Sequence, residues 1–347
     1  MMVKNEEKTL ERILSVAKKF CDEIIVVDTG SEDASVKIAE KYCDKVVFYP
    51  FENDFSKVRN YCFSLAKCDY LLWLDADDFI DEINVEKIQK LKITGLYADI
   101  YMFLYNTYDI PSGKLLLSYY RERLLKRDKN YKFLGAVHEA VELVGNVAYT
   151  DVVVEHRKEK KPSGKRNLNI YLSLLKKGHE FSPRELYYFA RELYYNGYYK
   201  RAITYFNKFL RFEGTVFDRA EAFVISCDCY LKLNDLKKAE SAIYRALTEF
   251  TPYPEMLCTA GRVEYEKRNY EKSAFFYKSA MIPCKKNDGF YRPEYEDIIP
   301  LLWLTVIYYN LNDYVTAKKY HLACKKIAPD HPSVVYNDKL PIFKEVT

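Results

Sequence analysis

The chain has 347 residues, of which 49% are apolar, and its 54 basic and 50 acidic side chains leave a formal net charge of +4. A chain of this length forms two or three domains of ordinary size. The small net charge disfavours a nucleic-acid-binding protein, which needs a strongly basic face. No apolar run approaches the ~18 residues that a membrane span needs.

The N-terminal segment and the cysteines point to one compartment. The chain becomes charged after three residues, without the apolar stretch of a signal peptide. The nine cysteines are scattered and form no CxxC pair, which disfavours a disulfide framework or a zinc site. We therefore expect reduced thiols in a cytoplasmic protein.

The first half of the chain alternates between helical and strand-like patterns. The predicted elements, in chain order, are a helix from Leu10 with Asn5 as its cap, a strand at 23–30, a helix at 34–42, a strand at 45–50, a helix at 55–68 and a strand at 70–74. Strands separated by helices of this length predict βαβ units, and hence a Rossmann-like α/β domain with a mainly parallel sheet.

Acidic residues follow two of these strands. Asp28 ends the strand at 23–30, and the segment DYLLWLDADDFID places Asp75, Asp77 and Asp78 directly after the strand at 70–74. Ligands of open α/β sheets bind beyond the carboxyl ends of the strands. Two carboxylates one residue apart suit Mg²⁺ or Mn²⁺, which keep positions free for phosphate oxygens. An acidic turn in solvent would look the same, but Asp28 at a second strand end favours a ligand site.

From about 97 to 156 the pattern changes to longer strands. Strands are predicted at 98–106, 114–127 and 146–156, with a hairpin turn at 110–114. The polar, charged segment 157–166 then marks the domain junction. The predicted division is an N-terminal domain at 1–156, a linker and connecting helix at 157–183, and a C-terminal domain at 184–347.

The C-terminal domain has the pattern of a helical repeat. Polar turns precede helices that carry a small residue followed by an aromatic or aliphatic residue four positions later, and the small residues are Ala202, Ala239, Ser273 and Ala317. Their spacing, and prolines after the second helices, are typical of tetratricopeptide repeats, whose period is about 34 residues. The pattern predicts an all-α solenoid in which small residues let paired helices approach closely.

The segments VKNEE, EIIVVDTGSED, NDFSKVRNY, YLLWLDADD and LGAVHEAVE together resemble family 2 glycosyltransferases with a GT-A fold. Followed by tetratricopeptide repeats, they resemble the bacterial S-glycosyltransferases that modify glycopeptide bacteriocins. In contrast to such relatives, few apolar residues precede VKNEE, so we expect a short first strand or a start codon further upstream. The resemblance implies a UDP-sugar donor, such as UDP-glucose, and a peptide acceptor held by the repeats, in an enzyme that also forms a homodimer.

The resemblance also implies donor-binding residues. Glu6 matches an acid that contacts the nucleoside, and Asp28 matches the aspartate that reads the uracil. Asp75 matches the first acid of the DxD motif, near the ribose. Arg59 is expected at the diphosphate, as a bidentate donor, and Arg123 is a second candidate for that contact.

The resemblance further assigns the metal ion and the base. Asp77, the second acid of the DxD motif, and His156 match positions that bind the metal, with Asp75 beside them. Glu139 matches the catalytic base and His138 its neighbour. Each of these residues also has a purely structural interpretation, such as a packing histidine or a group that orients its neighbour. If Glu139 is not the base, the alternatives are Asp78 and His138.

Three functions therefore remain open from the sequence. The first is an inverting, metal-dependent glycosyltransferase that modifies cysteine, serine or threonine of a bacteriocin precursor peptide. The second is a glycosyltransferase of cell-surface polysaccharide or lipopolysaccharide core. The third is an inactive scaffold, against which the intact acidic motif argues.

Overall fold

The computed structural model describes residues 1–109, 112–157, 164–282 and 289–343. The chain divides into two compact units, Met1–His179 and Glu180–Thr347. A helix over Arg166–Lys176, which the sequence assigned to a linker, belongs to the first unit. Its Tyr171 hydroxyl donates a hydrogen bond to the Val137 carbonyl oxygen at 3.2 Å. Most of the polar junction, residues 158–163, lies outside the described residues.

The described residues of the first unit form three sheets and five α-helices. Its strands are β1 (Met2–Val3), β2 (Ile25–Asp28), β3 (Lys45–Phe48), β4 (Tyr70–Leu72), β5 (Asp78–Phe79), β6 (Ile100–Tyr108), β7 (Leu115–Lys126), β8 (Phe133–Leu134), β9 (Ala140–Val141) and β10 (Val147–His156). Its helices are α1 (Leu10–Ala17), α2 (Ser35–Tyr42), α3 (Phe55–Leu65), α4 (Glu82–Thr94) and α5 (Arg166–Lys176). The predicted alternation of strands and helices is confirmed, and α4 is a helix that the sequence analysis did not identify.

The strand order explains why only part of the sheet is parallel. One sheet has the order β1-β2-β3 with both pairs parallel, as the βαβ pattern predicts. The other has the order β4-β7-β6-β10-β5 and is mixed. β6 and β7 form a hairpin, so β7 runs antiparallel to both β6 and β4, and β5 pairs antiparallel with β10. Residues 110 and 111 at the hairpin tip lie outside the described residues. The α/β class is thus confirmed, with a sheet less parallel than the sequence suggested.

The start of α1 differs from its prediction. Its N-cap is Thr9, not Asn5, so the predicted cap is wrong. Asn5 instead has a positive φ of 54°, and its side-chain oxygen accepts a hydrogen bond from the Glu32 backbone N–H at 2.7 Å. Asparagine tolerates this left-handed conformation better than most residues, and it joins the loop before α1 to the loop after β2.

The second unit consists of helices arranged in pairs. Its helices are α6 (Pro183–Tyr195), α7 (Tyr199–Phe209), α8 (Val216–Lys232), α9 (Leu236–Glu249), α10 (Pro254–Glu266), α11 (Tyr270–Ala280), α12 (Ile298–Asn310), α13 (Tyr314–Ile327) and α14 (Pro332–Asn337). The first eight form the four predicted helical pairs. No helix in the described ranges is both long and apolar enough to cross a membrane.

The repeat pattern is confirmed by burial and by backbone conformation. All four predicted small residues lie on the second helices of the pairs and are fully buried: Ala202, Ala239, Ser273 and Ala317. Five positions before each of them, the turn between paired helices contains a residue with positive φ: Gly197, Asn234, Arg268 and Asn312. Gly261 on α10 packs so closely on Tyr277 of α11 that a Cβ atom would lie 2.8 Å from its ring.

Polar contacts between first helices repeat every 34 residues. The Tyr194 hydroxyl on α6 donates to Asp228 on α8 at 2.8 Å, and Arg262 on α10 donates to the same carboxylate at 2.5 Å. The separation along the chain is 34 residues in both contacts. The first helices of successive pairs are therefore neighbours, as stacking of repeats requires.

A buried acid in this unit gives a pH prediction. Glu264 is fully buried and accepts hydrogen bonds from Tyr244 at 2.6 Å, Asn269 at 2.7 Å and Lys267 at 3.2 Å. Burial would raise the pKa of Glu264, but these bonds overcome it and lower that pKa from 4.5 to about 2. A lowered folded-state pKa contributes stability above the unfolded pKa, and this contribution is lost as the pH falls toward the folded pKa.

We expect Glu264→Gln to lower the free energy of unfolding near pH 7 by on the order of 3 kcal/mol. Between about pH 5 and pH 3 the variant should lose less stability than the wild type. Denaturant unfolding, followed by circular dichroism at several pH values, gives the free energy of unfolding as a function of pH for the wild type and for the variant. Glu271→Gln, at an exposed position on α11, is the control. Parallel pH profiles for the wild type and Glu264→Gln would contradict the expectation.

Candidate active site

Three ligand-type side chains converge after β4, where β5 begins and β10 ends. β10 pairs antiparallel with β5, so His156 lies opposite Asp78. One carboxylate oxygen from each of Asp77 and Asp78 and one ring nitrogen of His156 lie within 4.8 Å of one another. Among the predicted metal ligands, the structure thus brings together Asp77 and His156. Asp75, predicted as the third, is not part of this cluster, and Asp78 takes its place.

The environment of His156 fits a cation. Its Nδ1 atom lies 3.5 Å from Asp77 Oδ1, and it is buried without a hydrogen-bond partner among the described residues. Burial alone would lower the pKa of His156, but its direct contact with Asp77, followed by the charges of Asp77, Asp78 and Asp75, raises it. A polar nitrogen left unpaired beside two carboxylates is costly, and oxygen ligands with one imidazole suit Mn²⁺ or Mg²⁺.

Asp78 is the most deeply buried acid of the cluster, with no exposed surface. Its Oδ1 accepts a hydrogen bond from the Tyr105 hydroxyl at 3.0 Å, and its Oδ2 accepts one from the Asp75 backbone N–H at 2.8 Å. Its counterion is Arg123, whose Nη1 lies 3.0 Å from Oδ2. Burial raises the pKa of Asp78 although Arg123 opposes this shift. These bonds tie the 75–78 turn to the sheet beneath it.

Arg123 lies beneath the site. It was the second candidate for the diphosphate contact after Arg59, but its side chain is only 1% exposed. Its Nη1 also donates to the Trp73 carbonyl oxygen at 3.1 Å, and its guanidinium lies 4.0 Å from the Trp73 ring centre. The pairing of β6 with β7 shifts register between Tyr101 and Met102, which leaves Arg123 without an opposite residue. Such a bulge redirects a side chain, here toward Asp78 and away from the surface.

Arg59 on α3 joins two predicted site residues. Its Nη2 donates to Asp75 Oδ1 at 2.8 Å, and its Nε donates to Glu139 Oε1 at 2.6 Å. Burial alone would raise the pKa of Asp75, but Arg59 and Arg123 overcome this effect and hold it well below its usual range. Asp75 is therefore a stable anion, and two nitrogens of the Arg59 guanidinium, Nε and Nη2, already donate to carboxylates.

The segment that contains the predicted base is tightly constrained. Glu139 is buried and lies immediately before β9. The preceding His138 is half-buried and has a positive φ of 53°. A side chain other than glycine adopts this conformation at a cost that the surrounding structure must offset, and such residues concentrate at functional sites. The geometry therefore allows two roles for Glu139, as a base or as the residue that positions Arg59.

The two predicted nucleoside-binding acids lie in neighbouring loops. Asp28 accepts backbone hydrogen bonds from Gly30 at 2.9 Å and from Ser31 at 3.1 Å. The backbone N–H of Glu6 donates to Ser35 Oγ at 2.7 Å. The bonds to Asp28 stabilise the loop after β2. Asp28 therefore has a structural role in this loop and remains a candidate contact for the uracil.

The sequence analysis missed three residues of the site. Trp73 is contacted by three guanidinium groups, those of Arg59, Arg121 and Arg123, at 4.4, 4.7 and 4.0 Å from its ring centre. Arg121 is the most exposed of the three, and its Nη2 lies 3.4 Å from the Glu139 carbonyl oxygen. The third is Tyr105. Arg121 and Arg123 are two residues apart on β7, and side chains with this spacing lie on the same face of a strand. The sequence could therefore have indicated that both arginines lie on one side of the sheet.

Comparisons with known proteins relate the chain to glycosyltransferases and to helical-repeat proteins. Residues 1–144 match the family described as Glycosyl transferase family 2. The chain is 26% identical over 269 residues to the SPbeta prophage-derived glycosyltransferase SunS of Bacillus subtilis. The alignment covers 73% of this chain and 62% of SunS, so the chain spans less than two thirds of that relative. A TPR repeat-containing protein of Synechococcus elongatus is 30% identical over 142 residues, which cover 41% of this chain and 34% of that protein.

Solved structures of helical-repeat proteins are similar to part of the chain. The TPR protein YrrB matches with a TM-score of 0.38 and 17% identity, over 51% of this chain and 84% of YrrB. MamA from Desulfovibrio magneticus matches with a TM-score of 0.39 and 16% identity, over 49% of this chain and 89% of MamA.

Proposed function

We infer that this chain, whose N-terminal residues form a family 2 glycosyltransferase domain, is an inverting, metal-dependent enzyme that transfers a hexose from a UDP-sugar to a peptide side chain. The acceptor is a cysteine, or a serine or threonine, of a bacteriocin-type precursor. The observation that supports this most is the cluster of Asp77, Asp78 and His156 at the strand ends of the matched domain. Strand ends are where open α/β sheets bind ligands.

The donor is held by acids and by a cation. Asp77 and His156 would hold Mg²⁺ or Mn²⁺, with Asp78 Oδ1 as the third ligand, because Asp78 Oδ2 already accepts two protein contacts. The bound cation would supply positive charge opposite the diphosphate of the departing UDP. Asp75, kept anionic by Arg59, is proposed to accept hydrogen bonds from ribose hydroxyls. Asp28 and Glu6 remain the proposed contacts of the uracil and the nucleoside.

The arginines that we propose at the diphosphate differ in part from those expected from the sequence. Arg59 remains a proposed diphosphate contact, but it first organises the site by joining Asp75 to Glu139. Arg123 is excluded from direct contact by its burial. Arg121, on the same strand and partly exposed, is the better second candidate. With 22% of its side chain exposed, against 1% for Arg123, Arg121 could present its guanidinium to the phosphate oxygens.

Transfer requires one bond to form and one to break at the anomeric carbon. The acceptor sulfur or oxygen attacks from the face opposite UDP, the bond to the diphosphate oxygen breaks, and the acceptor proton passes to a base, proposed to be Glu139. A thiol has a pKa near 8.5, so it needs less assistance than a hydroxyl. The repeats are proposed to hold the peptide, and homodimer formation stays a prediction.

Incubation of the full chain with Mn²⁺, a panel of UDP-hexoses and matched peptides with Cys or Ser tests this function. A mass gain of one hexose on the peptide, with UDP release, would support it. Transfer only to lipid-linked or polysaccharide acceptors would support the second function considered from the sequence. A folded chain that binds no UDP with or without Mn²⁺ would support the inactive scaffold.

The role of Glu139 is tested by Glu139→Gln. Loss of a base should lower the rate by about 10²-fold at neutral pH, and a higher pH should restore much of the rate on a cysteine peptide, because thiolate forms without a base. A serine peptide should show no such recovery. If Glu139 only positions Arg59, KM for the UDP-sugar should rise and high pH should rescue neither peptide. Wild-type rates on both peptides would show that it has neither role.

A further inference from the structure

The second unit contains a segment that departs from the repeat pattern. Between α11 and α12 the small-residue spacing lengthens, and part of the added chain, residues 289–295, is described by the structure. We call residues 289–295 the strap. It contains a short 3₁₀ turn at Pro293–Tyr295, and its sequence is GFYRPEY. The strap contacts three successive first helices, α6, α8 and α10, and we call the surface that they share the α6–α8–α10 face.

The centre of this contact is an arginine between two acids. Arg292 Nη2 donates to Glu221 Oε1 on α8 at 3.0 Å, and its Nη1 donates to Glu255 Oε2 on α10. These acids are 34 positions apart, the separation found for the repeated contacts between first helices. Glu221 is 1% exposed and also contacts the Tyr187 hydroxyl and Arg191 of α6. Glu221 and Glu255 occupy equivalent positions in successive repeats and both pair with Arg292, which belongs to the strap and not to a repeat helix.

An aromatic contact lies two residues before this arginine. The Phe290 ring centre lies 5.8 Å from that of Phe217 on α8, and the Arg191 guanidinium of α6 lies 4.8 Å from the Phe290 ring centre. Gly289 approaches Phe217 so closely that a Cβ atom would overlap its ring. At the other end of the strap, Cys258 Sγ of α10 donates to the Tyr295 carbonyl oxygen at 3.5 Å. The strap is therefore bound as a peptide would be, through an aromatic residue, an arginine and its backbone.

We propose that the α6–α8–α10 face is a binding site for peptides with an aromatic residue two positions before an arginine, and that the strap occupies this site in the free protein. The chemistry follows from the contacts. Without Arg292, Glu255 would lose its arginine and Glu221 would keep only its contacts with Arg191 and Tyr187, so an incoming guanidinium, which binds carboxylates bidentately, would find both acids within reach. Phe217 contacts the aromatic ring edge-to-face, and Arg191 contacts it by cation–π attraction. The strap then limits access, since a partner must displace it.

Binding in trans tests the proposal without any need for glycosyl transfer, so it is separable from the proposed enzymatic function. The probe is a fluorescent peptide of the strap sequence, Gly-Phe-Tyr-Arg-Pro-Glu-Tyr, and fluorescence anisotropy measures its affinity. We expect Arg292→Ala to bind this peptide at least tenfold more tightly than the wild type, because its own strap no longer competes. A peptide with methionine in place of its arginine should lose at least tenfold, and addition of Glu255→Gln to the Arg292→Ala chain should weaken the intact peptide.

Two further variants separate binding from a structural effect. Arg245→Ala removes an arginine that pairs with Glu249 of the same helix, α9, and should leave peptide affinity at the wild-type value. Phe290→Ala weakens the strap while it keeps the pairs of Arg292, and it should also raise affinity for the peptide. Added peptide should raise the melting temperature of Arg292→Ala. Equal binding to the wild type and to both strap variants, or no binding to a folded Phe290→Ala chain, would overturn the proposal.

Discussion

Replacement of Asp77 by asparagine is expected to lower sugar transfer by at least about 10³-fold while the fold is retained. The variant preserves the shape of the side chain but removes the negative charge that a divalent cation needs. Substitution of groups that merely orient metal ligands lowers metal affinity or activity 10–100-fold. Loss of a proposed ligand should therefore lower activity further. The half-buried position of Asp77 means that the substitution leaves no deeply buried charge unpaired.

Two measurements test this expectation: calorimetric titration with Mn²⁺ in the presence of UDP measures metal binding, and the transfer assay measures turnover. The Asp77→Asn chain should lose metal-dependent UDP binding together with turnover. Asp69→Asn is the matched control, because Asp69 is exposed just before β4, at its other end, and should behave as the wild type. Near-normal transfer by a folded Asp77→Asn chain would remove the proposed metal role of this acid.

Arg123→Met and Asp78→Asn are each expected to lower the free energy of unfolding by about 3–5 kcal/mol. Each variant removes one partner of an ion pair whose two side chains are 1% and 0% exposed, so the remaining charge is buried without its counterion. The double variant should recover much of this loss, since replacement of both partners of a buried pair is often nearly neutral. Arg123 Nε and Nη2 have no hydrogen-bond partner among the described residues, which makes the wild-type pair less than optimal.

Denaturant unfolding in a Trp303→Phe background measures this coupling. The chain contains two tryptophans, and without Trp303 the fluorescence reports on Trp73, which the Arg123 guanidinium contacts at 4.0 Å. Transfer activity should stay low in the double variant, because Asp78 also anchors the Asp75 backbone. Additive losses in the double variant would show that the two residues act independently. Full activity of the double variant would contradict a positioning role for Asp78.

Local patterns were sufficient for the elements and for the placement of the acids. The helix and strand periods predicted most elements of both units, since a period of 3.6 or 2 follows from burial of one face. The acids after β4 were predicted at a ligand site because parallel strands deliver residues to one edge. The small residues of the repeats were predicted from spacing, and all four are fully buried. The elements α4, β5, β8 and β9 were missed because they are weakly patterned or only two residues long.

By itself the sequence determined the α/β domain, the helical repeats and the candidate site at 75–78, all of which depend on residues near one another in the chain. Only the tertiary structure decided the partners. Arg59 meets Glu139 across 80 residues of chain, a bulge in β7 turns Arg123 inward to Asp78, and pairing of β10 with β5 sets His156 opposite Asp78. Packing between distant segments determines strand register, bulges and the contacts of the strap with α8 and α10. The local sequence periods therefore could not predict them.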